Sequence, residues 1–339
     1  MRKYLYSICF SLVLAAFTLW VVLDTFVISQ PMVYTKGKIN SSLFGSTQTS
    51  TDTNDLSKED TASQTDPTPT ESERVSNQPE TQTQQPDASV GTLSGDDAAL
   101  IGAYQNEQAN IRLYQYRYED TAVYVADIIV SSSEYIRTAF ANDYYGKNVT
   151  ATTSSMAEQN NAVLAINGDY YGARENGYVI RNGVVFRNAS DGRDLLCVYA
   201  DGTMRIVNSN AQSAQELVDQ GVWQAFCFGP ALVQNGQIEV SLNEEVGKAM
   251  ASNPRTAMGM IEPCHYVFVV SDGRTSDSKG LSLYQLATFM QHIGVQTAYN
   301  LDGGGSSTLY FNGTIINYPT TSGRSMKERG VSDIVYIEK

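Results

Sequence analysis

The most informative segment of the chain is residues 297–313, TAYNLDGGGSSTLYFNG. It holds two short apolar runs, Thr297–Leu301 and Leu309–Phe311, and the second is followed by Asn312-Gly313. Short runs rich in β-branched and aromatic residues and bounded by Gly or Asn are typical of β-strands. Asn-Gly between two such runs is a strong hairpin signal. The segment therefore predicts two strands joined by a glycine-rich bend, with a hairpin after the second strand.

Similar strand-like runs recur from Ile111 to the end of the chain. They are Ile111–Tyr118, Ala122–Val130, Ala162–Asn167, Leu195–Ala200, Met204–Val207, Ala257–Ile261, Tyr266–Ser271 and Ile334–Ile337. The dipeptides Asn182-Gly183, Asp201-Gly202 and Asn235-Gly236 each lie between two apolar runs and predict further hairpins. We therefore expect an α+β domain built on mixed or antiparallel sheet with few helices.

One helix is clearly predicted in the C-terminal half of the chain. Ser282 is a suitable N-cap, apolar residues then recur at helical spacing as far as Ile293, and Gly294 follows as a stop signal. Weaker helical patterns cover Ser155–Asn161 and Ala214–Gln220. The predicted domain thus contains few helices between its many strands.

The N-terminus begins with an apolar segment. Tyr4–Leu23 contains no charged residue, and about 20 helical residues span the roughly 30 Å of a bilayer's hydrocarbon layer. No small-residue cleavage site follows the run, which favours an uncleaved anchor over a signal peptide. Arg2 and Lys3 before it favour a cytoplasmic N-terminus. We expect residues 1–30 to be a transmembrane anchor.

A polar segment separates this anchor from the strand-rich region. Residues 46–89 are mainly Ser, Thr, Gln, Asp, Glu and Pro, and such a composition cannot bury enough apolar surface to offset backbone entropy. We therefore expect a disordered stalk over residues 31–100 and a globular domain over residues 101–339. This layout predicts a single-pass protein of the cell membrane whose domain is extracytoplasmic.

Charge and motif content exclude several classes of function. The formal net charge is -13 and the pI about 4.6, so the basic surface that nucleic acid requires is missing. His265 and His292 are the only histidines, which excludes a zinc site of three imidazoles. The chain has no nucleophile elbow and no phosphate-binding loop of the Walker type. We expect no cofactor, although Asp-rich turns leave Ca²⁺ open.

Polar residues cluster where the predicted strands end. Asp302 precedes three consecutive glycines, Gly303, Gly304 and Gly305, and Ser306 follows them. Glycine loses more conformational freedom on folding than any other residue, so three in a row indicate positive φ or close approach of a ligand. Their successive amide groups could form an anion-binding concavity.

Five further blocks accompany this one. They are Asn167-Gly168-Asp169-Tyr170-Tyr171, Phe228-Gly229-Pro230-Ala231-Leu232-Val233, Asn253-Pro254-Arg255-Thr256-Ala257, Ser271-Asp272-Gly273-Arg274 and Glu328-Arg329. In this order, and together with Asn300–Ser307, they resemble the blocks of the phosphodiester glycosidase family over about residues 110–339. The family usually carries a small residue at the position of Asp169.

The resemblance implies removal of an N-acetylglucosamine-like sugar from a sugar-1-phosphodiester on a cell-surface or extracellular glycan. It implies Asp302 as nucleophile or base, Asp272 as an orienting or second acid, and Arg255 and Arg274 as phosphate clamps. The remaining expected substrate-binding residues are Asn167, Asp169, Tyr170, Asn300, Gly303, Gly304, Gly305, Ser306 and Arg329. Two alternatives stay open: a non-catalytic glycan-binding or exopolysaccharide-assembly protein, and a conventional glycosidase.

Overall fold

The structure is a computed structural model that describes residues 2–28, 30–31, 39–44, 98–246 and 252–339. This described part contains the helices α1 Arg2–Phe26, α2 Thr153–Gln159, α3 Ala214–Asp219 and α4 Leu283–His292. Its strands are β1 Gln30–Pro31, β2 Ala99–Gln105, β3 Ala109–Tyr118, β4 Thr121–Val130, β5 Arg137–Phe140, β6 Gly146–Lys147, β7 Ala162–Asn167, β8 Val179–Arg181, β9 Val184–Arg187, β10 Asp194–Tyr199, β11 Met204–Asn208, β12 Val222–Phe226, β13 Ala231–Gln234, β14 Gln237–Ile238, β15 Arg255–Glu262, β16 His265–Ser271, β17 Thr297–Asn300, β18 Leu309–Phe311, β19 Thr314–Ile315 and β20 Asp333–Glu338.

Three sheets make up the domain. Sheet I has eight strands in the order β14-β13-β17-β15-β16-β4-β3-β2, sheet II has the order β11-β10-β12-β8-β9, and sheet III has the order β19-β18-β7-β20-β5. Strands β1 and β6 form a separate pair. All strand pairs in the described part of the chain are antiparallel. The predicted α+β fold with few helices is therefore confirmed, in its antiparallel form.

The inner faces of the three sheets share one apolar core. Phe268 of sheet I, Leu196 of sheet II and Leu164 of sheet III are all fully buried in it. Burying a side chain of this size stabilises the fold by about 1.5–3 kcal/mol. Because successive residues of a strand point to opposite faces, neighbouring residues such as Leu113 and Tyr114 enter different clusters.

One helix covers the outer face of each sheet. Leu286 of α4 packs on sheet I, Leu217 of α3 on sheet II, and Met156 of α2 on sheet III. The helices thereby bury the second apolar face that each sheet presents.

The predicted local signals are confirmed by the structure. Asn182-Gly183, Asp201-Gly202, Asn235-Gly236 and Asn312-Gly313 each connect two paired strands. Ser282 caps α4, since its hydroxyl accepts from the Gln285 amide and the Gln285 side chain accepts from the Ser282 amide. The two weaker helices also form, as α2 and α3.

The N-terminal predictions fare differently. A helix, α1, does form where the anchor is predicted. Among the described residues, however, the structure contains no helix with both the length and the apolar character needed to cross a membrane, so the predicted transmembrane helix is not confirmed. Most of the predicted stalk, residues 32–38 and 45–97, lies outside the described residues.

Candidate active site

The ends of three strands of sheet I meet at one edge of the sheet. β15 pairs with β16 on one side and β17 on the other, and Arg255 at its start lies opposite Ser271 at the end of β16. The glycine-rich loop after β17 runs back along the segment before β15, where the Gly304 amide donates to the Pro254 carbonyl at 2.8 Å. Antiparallel pairing therefore brings together three of the polar blocks.

A cavity of about 210 Å³ opens at this edge, and we name it the arginine cavity. Three arginines line it, Arg255, Arg274 and Arg329, together with the carboxylate-bearing Asp302. Its other lining residues are Phe228, Val246, Asn253, Asn300, Gly303 and Gly304. Guanidinium groups bind phosphate and carboxylate oxygens through directed N–H donors. The composition of the wall is therefore that of an anion-binding site with one acidic group beside it.

Asp302 is nearly buried, with 7% of its surface exposed. Burial raises the pKa of its carboxyl group, and the positive charge of Arg329 opposes that rise. Arg329 Nη2 donates to Asp302 Oδ2 at 3.0 Å, and Arg329 Nε donates to Ser306 Oγ at 2.9 Å. The Asp302 carboxylate is thus held in one orientation and has a raised pKa, which suits a nucleophile or general base.

Arg255 is fixed by groups behind the cavity wall. Its Nε donates to the Leu281 carbonyl at 2.9 Å, and its Nη2 donates to Glu245 Oε2 at 2.6 Å. Burial lowers the pKa of Arg255, and the bond to Glu245 opposes that change. The guanidinium is therefore positioned before any ligand arrives.

Arg274 shows most directly that positive charge is concentrated here. Its Nη1 donates to the Thr321 carbonyl at 2.7 Å, and its Nη2 donates to Asn253 Oδ1 at 2.9 Å. The pKa of Arg274 is lowered, first by burial and then by the charges of Arg329 and Arg255. Because the three guanidinium groups repel one another, an anion bound among them would relieve that repulsion.

The consecutive glycines serve close packing. Gly304 has a φ of 63°, and a Cβ there would lie 2.9 Å from Arg274 Nη2. A Cβ on Gly305 would lie 2.4 Å from Thr321 Oγ1. The amides of Gly304, Ser306 and Ser307 all donate to protein carbonyls. The predicted anion-binding concavity is therefore wrong for these three amides, and Gly304 makes room for an arginine.

Asp272 lies outside the arginine cavity. Its Oδ1 accepts from the Tyr318 amide at 2.7 Å and from Asn317 Nδ2 at 3.3 Å, and its Oδ2 accepts from the Tyr124 hydroxyl at 3.4 Å. These bonds tie the 317–318 segment to the end of β16. The expectation that Asp272 is a second catalytic acid is corrected accordingly, because its carboxylate faces partners within the fold.

The first polar block supports the site from behind. Asn167 is fully buried; its Nδ2 donates to the Asp302 carbonyl at 2.7 Å, and its Oδ1 accepts from the Thr256 hydroxyl at 2.9 Å. Tyr170 has a φ of 62° and is exposed. Neither residue lines the arginine cavity. The substrate contact expected for Asn167 is corrected to support of the Asp302 backbone, whereas a substrate contact of the exposed Tyr170 stays a prediction.

Asp169 is completely buried and also away from the cavity. It forms an ion pair with Arg181 Nη2 at 2.9 Å and accepts from the Cys227 amide at 2.8 Å. Arg181 Nε also donates to Asp333 Oδ2 at 2.8 Å. The substrate-binding role expected for Asp169 is therefore corrected to an internal ion-pair role. Gly305 and Ser306 likewise lie just behind the wall rather than in it.

Some residues of the site were not predicted. Phe228 and Asn253 line the arginine cavity and lie in quoted sequence blocks, so the signal was present without an assigned role. Arg174 was missed altogether. Its guanidinium lies 4.9 Å from the Phe228 ring centre, and its charge partly opposes the rise in the pKa of Asp302. Among the described residues, no group of three or more His, Cys, Asp or Glu could hold a metal ion.

The chain matches the model of a known family, described as phosphodiester glycosidase, over residues 160–338. That range contains every residue that lines the arginine cavity. The chain belongs to the phosphodiester glycosidase family. The resemblance seen in the sequence blocks is thereby confirmed.

Two curated relatives show how far this likeness extends. Over 184 residues the chain is 29% identical to the SPbeta prophage-derived uncharacterized protein YomE of Bacillus subtilis, covering 52% of this chain and 28% of YomE. Over 101 residues it is 34% identical to the N-acetylglucosamine-1-phosphodiester alpha-N-acetylglucosaminidase of Mus musculus, covering 26% of this chain and 19% of that protein. The chain thus spans less than a third of the length of these relatives.

Two solved structures share the fold of this phosphodiester glycosidase family member. The catalytic domain of zebrafish N-acetylglucosamine-1-phosphodiester alpha-N-acetylglucosaminidase, auto-inhibited by its pro-peptide, has a TM-score of 0.55 at 20% identity, covering 72% of this chain and 88% of that one. A hypothetical protein from Synechocystis has a TM-score of 0.53 at 14% identity, covering 68% and 62%. At these identities the likeness is one of fold.

Proposed function

We propose that the domain is a hydrolase that cleaves a sugar-1-phosphodiester between the anomeric carbon and the phosphate oxygen. The observation that supports this proposal is the placement of Asp302 and three arginines in one cavity. The released sugar is proposed to resemble N-acetylglucosamine, because relatives with sequence similarity carry that sugar in their names.

The charge change during this reaction explains why arginines suit the site. The substrate phosphodiester carries one negative charge. When the bond to the anomeric carbon breaks, its electron pair stays on the phosphate oxygen, and a second negative charge develops there. Guanidinium groups bind that developing charge more strongly than the substrate charge, so their contribution is greater in the transition state. Strong acid catalysis at the leaving oxygen is correspondingly less necessary.

Asp302 has the second role in the proposed reaction. Its carboxylate either forms a bond to the anomeric carbon, which water then breaks, or removes a proton from a water molecule that attacks the same carbon. Its hydrogen bond from Arg329 fixes the direction of the carboxylate. No second carboxylate lies among the described residues that line the cavity, which agrees with a reaction that depends on an anionic leaving group.

A substrate comparison with the full-length protein tests the proposal. N-acetylglucosamine-1-phosphate methyl ester and the matching methyl O-glycoside are offered in parallel, and release of free sugar is measured. We expect turnover of the phosphodiester and none of the O-glycoside. Turnover of the O-glycoside alone would support a conventional glycosidase. Binding of glycans without turnover of any sugar-1-phosphodiester would support a binding or assembly protein.

We also propose that the substrate is part of a cell-surface or extracellular glycan. This proposal is supported by the sequence of residues 1–89, in which an apolar segment precedes a Ser/Thr-rich one. The location at the cell membrane stays a prediction. Protease treatment of intact cells measures it: degradation of the domain without lysis is the expected result, and complete protection would contradict it.

A further inference from the structure

A second cavity adjoins the arginine cavity. It has a volume of about 340 Å³ and shares Phe228 and Val246 with the first. Its remaining lining residues are Gly192, Arg193, Asp194, Asn208, Gly229 and Pro230. Because Asp194 begins β10, we name this second cavity the β10 compartment. The two cavities therefore have a common wall formed by one aromatic and one aliphatic side chain.

The size of the arginine cavity indicates that it is too small to hold the whole substrate. Pockets for small molecules usually measure about 300–1,000 Å³, and the arginine cavity, at about 210 Å³, is smaller than this. A phosphodiester carries one group on each side of its phosphorus. With the phosphate and the reacting carbon in the arginine cavity, the far group needs additional space, and the β10 compartment adjoins it.

The charges of the β10 compartment differ from those of the arginine cavity. Arg193 is paired with Asp191, Nη2 to Oδ2, at 2.8 Å. The Asp194 carboxylate accepts from Asn208 Nδ2 at 3.1 Å. An aspartate and an amide at the wall disfavour a second phosphate and bind hydroxyl groups well. Phe228 adds an apolar surface of the kind on which a sugar ring can lie.

The wall between the two cavities is fixed by a buried tyrosine. The Tyr299 hydroxyl accepts from the Phe228 amide at 3.1 Å and donates to the Asp194 carbonyl at 2.7 Å. Tyr299 is fully buried in β17. The residue that follows it, Asn300, lines the arginine cavity. One side chain thus sets the distance between the Phe228 wall and the start of β10.

We infer that the β10 compartment binds the group esterified to the phosphate on the side away from the reacting sugar, and that this group is neutral and rich in hydroxyls, such as a second sugar. The inference rests on the proposed function. Asp302 lines only the arginine cavity, so the anomeric carbon must lie there. The β10 compartment, which lacks Asp302 and an arginine cluster, is then available to bind the far group.

Two substrates that differ only in the far group test this inference on the full-length protein. Both carry N-acetylglucosamine-1-phosphate, one as the methyl ester and the other as an ester of a methyl hexoside. The variants are Asp194→Ala and Asn208→Ala, whose side chains are exposed. Asp201→Ala, on the exposed β10–β11 turn and outside both cavities, is the matched control.

We expect each compartment variant to raise KM for the hexoside ester by about tenfold, as loss of a hydrogen bond to a charged or amide group predicts. KM for the methyl ester should change less than twofold, and Asp201→Ala should leave both values unchanged. Equal losses for both esters would place the released sugar in this compartment and overturn the inference, as would no loss for either. If the wild-type protein cleaves neither ester, the proposed function itself fails and this inference fails with it.

Discussion

Asp302 experiences two opposing influences, since burial raises the pKa of its carboxyl group and Arg329 lowers it. The balance leaves the pKa above that of an ordinary aspartate. A more basic carboxylate is a better proton acceptor, provided that it is ionised at the working pH. In the proposed reaction, the pair formed by Asp302 and Arg329 would therefore set the pH at which the site operates.

Asp302→Asn should abolish turnover and leave the fold intact. The amide has the shape of the carboxylate but cannot attack carbon or accept a proton, and loss of a group with that role reduces rates by about 10²–10⁴-fold. The measurements are kcat on the N-acetylglucosamine-1-phosphate methyl ester and the thermal unfolding midpoint. A variant with near-normal kcat would remove the role assigned to Asp302.

Arg329→Met should move the acidic limb of the kcat/KM profile to higher pH. The proposed reaction requires ionised Asp302, so activity should rise as pH increases through the pKa of that carboxyl group. Removing the cation that lowers this pKa raises it further, and more base is then needed to ionise the group. The profile is measured between about pH 4 and pH 9.

Arg205→Met is the control for that profile, because Arg205 makes an exposed ion pair with Asp201, remote from the arginine cavity. Its acidic limb should coincide with that of the wild type. A limb that stays in place or moves to lower pH in Arg329→Met would show that Arg329 does not act on the titrating group.

At the residue scale, sequence identifies candidate groups without showing their partners. Asp302 and the three arginines belong to blocks with a recognisable pattern, and all four line the cavity. Asp272 also belongs to one of these blocks, directly after the end of β16. Its partners Asn317 and Tyr318 lie 45 and 46 residues away along the chain. Only the folded structure therefore shows that its carboxylate accepts hydrogen bonds from within the protein.

At the scale of the element, the loop from Asp302 to Ser307 combines positive φ with crowding. Gly304→Ala should reduce both stability and activity. A Cβ at φ 63° is strained and would also displace the Arg274 guanidinium. We expect a loss of about 1–2 kcal/mol from strain and a fall in kcat/KM of about tenfold or more.

Gly313→Ala provides the matched control for Gly304→Ala. Gly313 also has positive φ, at 91°, but a Cβ there meets no atom within 4 Å. This variant should lose similar stability, measured by urea unfolding, and keep full activity. If both variants lose activity equally, crowding of Arg274 is not the cause.

Elements that depend on neighbouring residues were predicted well. The four hairpin turns and the α4 cap each rest on residues within a few positions of one another, and all of them form. β2, Ala99–Gln105, was missed because it is an exposed edge strand with a central glycine and little alternation. The two-residue strands β1 and β6 are too short to leave any pattern.

At the scale of the whole molecule, one buried ion-pair network joins sheets II and III. Arg181 of β8 contacts Asp169, after β7, and Asp333 of β20, and all three side chains are essentially inaccessible. Two carboxylates around one guanidinium are stable only while the cation is present. Burial raises the pKa of Asp333, and Arg181 opposes that rise.

Arg181→Met should destabilise the protein by about 3–5 kcal/mol, because it leaves two buried carboxylates without their cation. The loss is measured by urea unfolding at neutral pH. It should be smaller at about pH 5, because the Asp333 carboxyl group, whose pKa is raised by burial, binds a proton there and loses its buried charge.

Lys279→Met is the control for the Arg181 variant, because Lys279 and Asp120 form an ion pair with side chains 69% and 67% exposed. Pairs of this kind contribute about 0–1 kcal/mol. Similar losses for the two variants would show that the buried network does not hold the sheets together.

The arrangement of three sheets around one core could not be predicted from the sequence. Strand patterns show which residues face inward, but they do not show which sheet lies opposite. β7 pairs with β18 and β20, which follow it by more than 140 residues. Neither strand carries a sequence pattern that identifies it as a partner of β7. The family could be recognised without that arrangement, because the resemblance depends on short sequence blocks, and the family model matches residues 160–338.

The bridge formed by Tyr299 has a consequence for altering the specificity of the site. The proposed cleavage groups lie mainly at strand ends of sheet I, whereas the β10 compartment takes Asp194 and Asn208 from the β10–β11 hairpin of sheet II. Under the proposed assignment, substitutions at Asp194 or Asn208 would alter the far group that is accepted and leave the groups of the arginine cavity in place. The Tyr299 hydroxyl would hold the two parts of the site together in such variants.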